Sequence, residues 1–89
     1  MGLRQSFRFR FNAPDEVTTF LRSFAAEYRV DDRGDFFVIE PKDGAAFLFD
    51  CQLVQDGLLC DRSGEYFHFL GIFLEQLTGR FGKVEVEDA

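Results

Sequence analysis

Aromatic side chains change their spacing along this chain, and that change constrains the order of strands and helices more than any other feature. Phe7, Phe9 and Phe11 stand at every second position with Leu3 and Gln5, while Arg4, Ser6, Arg8 and Arg10 take the places between. A period of two puts the rings on one face of a strand over 3–11 and the arginines on the other. Val17, Phe20, Leu21, Phe24, Ala25 and Tyr28 then recur at helical spacing. Asn12 stands where it can cap that helix, with Pro14, Asp15 and Glu16 in its first turn, where a missing N–H does no harm and negative charge suits the dipole. The chain has thirteen phenylalanines against two tyrosines and no tryptophan, so its aromatic bulk is almost wholly apolar and needs a core or a partner.

From Tyr28 the pattern becomes short β-prone runs separated by turn residues: strands over 28–31, 36–40, 45–54 and 57–61, with turns at 32–35, 41–44 and around Gln55-Asp56-Gly57. A second helix follows, capped by Ser63. Its apolar stripe holds Tyr66, Phe67, Leu70, Phe73, Leu74, Leu77 and Phe81, its polar side centres on His68, Gly71 and Glu75, and Gly79 and Gly82 end it. Residues 83–87 form a last strand, with 87–89 as a frayed tail. The predicted order β-α-β-β-β-β-α-β makes one α+β domain over 1–89, a mainly antiparallel sheet with both helices on one face. That order resembles the ferredoxin-like fold with an extra hairpin. The resemblance implies that the first and last strands are neighbours, setting Arg4, Arg8 and Arg10 against Glu85 and Glu87 in cross-strand ion pairs.

A net charge of −6, from 16 acidic and 10 basic residues, argues against nucleic acid and anionic membranes as partners. The longest apolar stretch, 66–74, is broken by His68 and Gly71 and is far short of the ~20 residues that cross a bilayer. With arginines alternating through the first residues in place of an apolar leader, the expected location is the cytoplasm. Residues 1–6 satisfy the loose N-myristoylation pattern and Arg33-Gly34-Asp35 spells an adhesion tripeptide, but the first leads into a strand and the second is what a hairpin turn needs. Residues 33–40 resemble the third-strand signature of the RNA-recognition motif in Arg33, Gly34, Phe37 and Val38. Asp35 and Glu40 stand where that motif needs aromatics, so a turn followed by a strand buried on both sides is the better reading.

No cofactor fingerprint or metal-ligand spacing is present in the sequence, and the only acid–base or nucleophile candidates are Cys60, Asp61, Glu65 and His68. Glu65 and His68, three apart on a helix, read as a solvated pair, so the expectation is a protein without catalysis, cofactor or metal. Cys51 and Cys60 flank the Gln55-Asp56-Gly57 turn. If Asp56-Gly57 is a two-residue turn, Leu53 opposes Cys60 and Cys51 is its diagonal neighbour; a three-residue loop sends the two thiols to opposite faces. Both arrangements predict reduced, buried cysteines.

Ten rings, those of Phe7, Phe9, Phe11, Phe20, Phe24, Phe47, Phe49, Phe67, Phe73 and Phe81, are assigned to the core. Apolar residues beyond that need define two candidate interfaces. One is the open sheet face, carrying Phe36 or Phe37 with Val38, Leu48 and Val54 near Arg4, Arg8 and Arg10; the other is a helix flank of Phe69 and Ile72. The expected function is protein–protein contact, as a homodimer. The alternative is a regulatory module whose cleft beside the meander holds a small apolar ligand with an arginine anchor.

Overall fold

The computed structural model describes residues 3–44 and 46–89, so Gly2 of the myristoylation pattern and the first residue of the expected 45–54 strand lie outside the described residues. The elements are β1 (Leu3–Arg8), α1 (Pro14–Arg22), a 3₁₀ turn (Ser23–Ala26), β2 (Tyr28–Asp32), β3 (Phe36–Pro41), β4 (Phe47–Val54), β5 (Gly57–Gly64), α2 (Phe67–Phe81) and β6 (Glu85–Asp88). The six strands form one sheet in the order β2-β3-β4-β5-β1-β6, and every neighbouring pair is antiparallel. The chain is thus α+β, but its strand order is not that of the four-stranded ferredoxin-like sheet. The meander β2–β5 fills one side, and β1 lies between β5 and β6, so the first and last strands are neighbours.

Register decides which side chains meet. Phe7 pairs with Leu58, Cys60 with Cys51, Cys51 with Phe37, and Phe49 with Ile39, and all of these are fully buried on the helix-covered face. Val17, Phe20 and Leu21 of α1 and Phe69, Phe73 and Leu77 of α2 close the core from above. Phe73 sits at its centre, with ring centroids 4.8 Å from Phe49, 5.7 Å from Phe20 and 5.9 Å from Phe7. Its contacts with Phe7 and Phe20 are edge-to-face and that with Phe24 is stacked, as the ring quadrupole allows.

Several boundaries differ from expectation for local reasons. Helix α1 starts one residue later than an Asn12 cap would allow, because the Glu16 carboxylate turns back to accept the backbone N–H groups of Asn12 (2.8 Å) and Ala13 (3.2 Å). It ends at Arg22, where the chain tightens into a 3₁₀ turn and the Ser23 hydroxyl donates to the Phe20 carbonyl. Tyr28 therefore opens β2 and does not belong to the helix. Strand β5 runs on to Gly64, pairing Ser63 with Leu48, so Ser63 is a strand residue and not a cap. Strand β6 includes Asp88, and the Ala89 N–H donates to the Arg4 carbonyl (3.1 Å).

The phase of α2 is the largest correction. Phe69, expected on an exposed flank, is 1 % exposed, whereas Phe67, expected in the core stripe, is 74 % exposed. The cause is tertiary. Phe69 fills the space between Phe24, Tyr28, Phe47 and Phe49, at 4.8–5.4 Å between centroids, and this turns Phe67 outward onto the face of Tyr66 (4.6 Å). Phe37 also enters the core with no exposed surface, while Phe11 and Phe81 pack only partly against it.

Candidate functional site

No helix covers the second face of the sheet. Its side chains follow from the register: Arg29 and Asp31 of β2, Phe36, Val38 and Glu40 of β3, Leu48, Asp50, Gln52 and Val54 of β4, Leu59, Asp61 and Ser63 of β5, Arg4, Ser6 and Arg8 of β1, and Glu85 and Glu87 of β6. Of the alternatives Phe36 or Phe37, the open face takes Phe36, with Val38 two residues on. Phe36, Val38, Leu48, Val54 and Leu59 are the apolar residues of this face, spread over β3–β5 and interleaved with Asp50 and Gln52; Leu48 is 42 % exposed and the other four are half-buried. Leu59 was missed from sequence because it depends on the register across the β4–β5 turn. Phe69 and Ile72 form no surface, Phe69 being core and Ile72 half-buried against it.

The turn itself is Gln55-Asp56, one residue earlier than the expected Asp56-Gly57 turn; it pairs Val54 with Gly57 and moves the pairing by two residues. Gly57 is required at that point: its φ is +156°, and a Cβ there would stand 1.9 Å from the Phe7 carbonyl oxygen. Both arrangements considered for the cysteines are overturned. Cys51 directly faces Cys60, with sulfurs 3.7 Å apart, and both are free and fully buried. Burial, then the neighbouring Cys60 thiol, pushes the Cys51 thiol well above its usual range.

Charges beside the apolar residues of the open face are largely spent on one another. Arg4 forks onto Asp61, Nε to Oδ1 at 2.9 Å and Nη2 to Oδ2 at 3.0 Å, in place of the C-terminal strand. Arg8 does reach β6, with Glu87 as its nearer partner and Glu85 at 3.7 Å. Arg10 lies past the end of β1 and makes no ion pair among the described residues. Asp50, opposite Asp61 in the middle of the face, is held above the usual carboxylate range by partial burial first and by the Asp61 charge second, against the pull of Arg33.

Two other features were not legible from sequence. Arg62 alternates with Leu58 and Cys60 and so points under the helices, where it is 6 % exposed. Its Nη2 donates to Gln5 Oε1, its guanidinium lies 4.9 Å from the Tyr66 ring, and its Nε and Nη1 have no hydrogen-bond partner. Gln5 passes the chain on to Asp88 (2.9 Å), tying β5, β1 and β6 together under α2. At the opposite end of β1, a hollow of about 660 Å³ is lined by Phe9, Phe11, Phe81, Arg10, Arg80 and Asp56.

Of the acid–base and nucleophile candidates, His68 and Glu65 are exposed, while the Cys60 thiol is buried against Cys51. Among the described residues no three His, Cys, Asp or Glu side chains could hold a metal ion, and no helix is long and apolar enough to cross a membrane. The chain matches no protein-family profile, no curated protein and no solved structure.

Proposed function

We propose that this protein acts by protein–protein contact, as a homodimer that pairs the open faces of two sheets. The observation that carries the reading is the presence of Phe36, Val38, Leu48, Val54 and Leu59 on a face that no helix covers. Antiparallel sheets with one solvated face normally alternate to polar residues there. Apolar side chains interleaved with Asp50 and Gln52 and bordered by ion pairs suit a partner that carries the same pattern, which a two-fold axis supplies. Six strands of up to eight residues span roughly 25 Å by 25 Å, on the order of 600 Å² before side-chain relief, near the ~800 Å² per partner of a stable interface. In fold terms the chain reads as a relative of the ferredoxin-like arrangement, with the meander widened between its two crossovers. Its free thiols suit a reducing compartment such as the cytoplasm.

Sedimentation velocity tests the proposal over about 1 to 100 μM, where interfaces of this size can associate. Wild type is expected to shift from monomer to dimer, and Leu48→Asp to stay monomeric with an unchanged far-UV circular dichroism spectrum. A wild-type chain that is monomeric throughout overturns the reading.

One observation favours a second reading, a small-ligand module. Arg10 and Arg80, neither of them in an ion pair among the described residues, border the hollow beside Phe9, Phe11 and Phe81, with Glu16 and Asp56 on the same wall, which suits a small apolar molecule anchored by an arginine. NMR shifts of Arg10 and Phe81 on titration with an aromatic carboxylate such as benzoate, in a chain that stays monomeric, are the outcome that would favour it.

A further inference from the structure

We propose that Cys51 and Cys60 form a dithiol site that closes to a cross-strand disulfide by exchange with a low-molecular-weight disulfide of the glutathione type. The argument starts from the backbone. The Leu53 N–H donates to the Asp35 carbonyl (2.8 Å), so the polar groups of Leu53, and with them those of Cys51 two residues earlier, point toward β3. Those of Gln52 and Val54 then point toward β5, which makes Cys51 and Cys60 a non-hydrogen-bonded pair of the β4–β5 ladder. In such pairs the Cα atoms are about 4.5 Å apart and the side chains stand closest, within the separation a disulfide spans without backbone movement. The two sulfurs already touch at 3.7 Å.

The exchange runs in two balanced steps. The thiolate of one cysteine attacks the S–S bond of the small disulfide, forming a mixed disulfide and expelling one small thiolate. The second cysteine, as its thiolate, attacks the protein sulfur of that mixed disulfide, forming the Cys51–Cys60 bond and expelling the second small thiolate. Two protein thiols lose two electrons and two protons, and the small disulfide gains them as two thiols. Neither sulfur is exposed, so the first step proceeds while the β4–β5 hairpin is transiently open, and the pairing favours the second step once it recloses. Phe37 beside Cys51 and Gln5 beside Cys60, on the outer strands of this four-strand stretch, are uncharged, and Arg62, two residues along β5 on the same face, donates to Gln5. The bridge would tie together the two strands that carry Leu48, Asp50, Leu59 and Asp61, and it forms whether or not the chain dimerises.

The test equilibrates the full chain in glutathione redox buffers, quenches it with iodoacetamide and reads the intact mass. In native buffer the expected product is a monomer lighter by two hydrogens with no glutathione adduct and an unchanged far-UV spectrum. Because a bridge that fits the fold is favoured by the fold, the ratio of closed to open protein should be at least about tenfold higher in native buffer than in guanidinium at the same redox ratio. Cys51→Ser, keeping Cys60 alone, should yield only the mixed disulfide. A ratio no higher in native buffer than in guanidinium, an accumulating glutathione adduct on wild type, or loss of the folded spectrum on closure each overturns the assignment.

Discussion

Two phenylalanines separated by one residue test the packing of α2 directly. Phe69 is 1 % exposed and has ring centroids of Phe24, Tyr28, Phe47 and Phe49 at 5.4, 4.8, 5.1 and 5.0 Å. Truncating such a ring to alanine removes its burial and leaves a cavity that stiff aromatic neighbours cannot fill, at a cost of about 3–5 kcal/mol. A domain of this size has a total stability of about 4–13 kcal/mol, so Phe69→Ala should lose about a quarter of it or more and melt at least ~12 °C lower. Phe67 is 74 % exposed and rests on one ring face, that of Tyr66, so Phe67→Ala should change stability by no more than about 0.5 kcal/mol. Urea unfolding followed by far-UV circular dichroism measures both. If Phe69→Ala does not fold, Phe69→Leu keeps most of the volume and should cost less than about 1.5 kcal/mol while still exceeding Phe67→Ala. Equal losses at the two positions, or the larger loss at Phe67, would mean that α2 is rotated and that the core described above is wrong.

Asp50 and Gly57 give two further outcomes. Because the folded-state pKa of Asp50 is raised, its carboxylate opposes folding once ionised, and that penalty appears as pH rises through the folded pKa. Asp50→Asn should therefore raise the melting temperature at pH 7 and leave it unchanged below the usual carboxylate range; a loss at neutral pH would contradict the assigned cause. Pairing of two open faces would bury Asp50 further, so in wild type the dimer should strengthen toward acid, and sedimentation across pH reads that sign. Gly57→Ala forces a Cβ onto the Phe7 carbonyl, whereas Gly34→Ala, at φ +91° with nothing within 4 Å, meets only the left-handed backbone cost of about 1–2 kcal/mol. Chemical denaturation should find Gly57→Ala the more destabilising of the two.

Elements that announce themselves by local period were legible in the sequence. The alternation of Leu3, Gln5 and Phe7 identified β1, and the spacing of Val17, Phe20, Leu21 and Phe24 identified α1 and its buried face. What failed were phases and registers, each of which shifts by one residue at small local cost. The β4–β5 turn is one residue earlier than its Asp-Gly pair suggested, and that step alone moved the pairing by two residues and brought Cys51 opposite Cys60. Helix α2 is apolar around most of its circumference, so periodicity could not choose between Phe67 and Phe69.

Arg62 shows the same limit from the polar side. Nothing local marks an arginine as buried; its place follows from sharing a strand face with Leu58 and Cys60 and lying under Tyr66. The amino-acid order by itself determined how many strands and helices there are, their order, and which side of the early ones is apolar, because those properties depend on neighbours within a few residues. Only the tertiary structure decided which ring fills the middle, which thiols touch and which strip of sheet stays open. Those outcomes depend on the volume left between elements far apart in the chain, where one well-filled space outweighs any local preference.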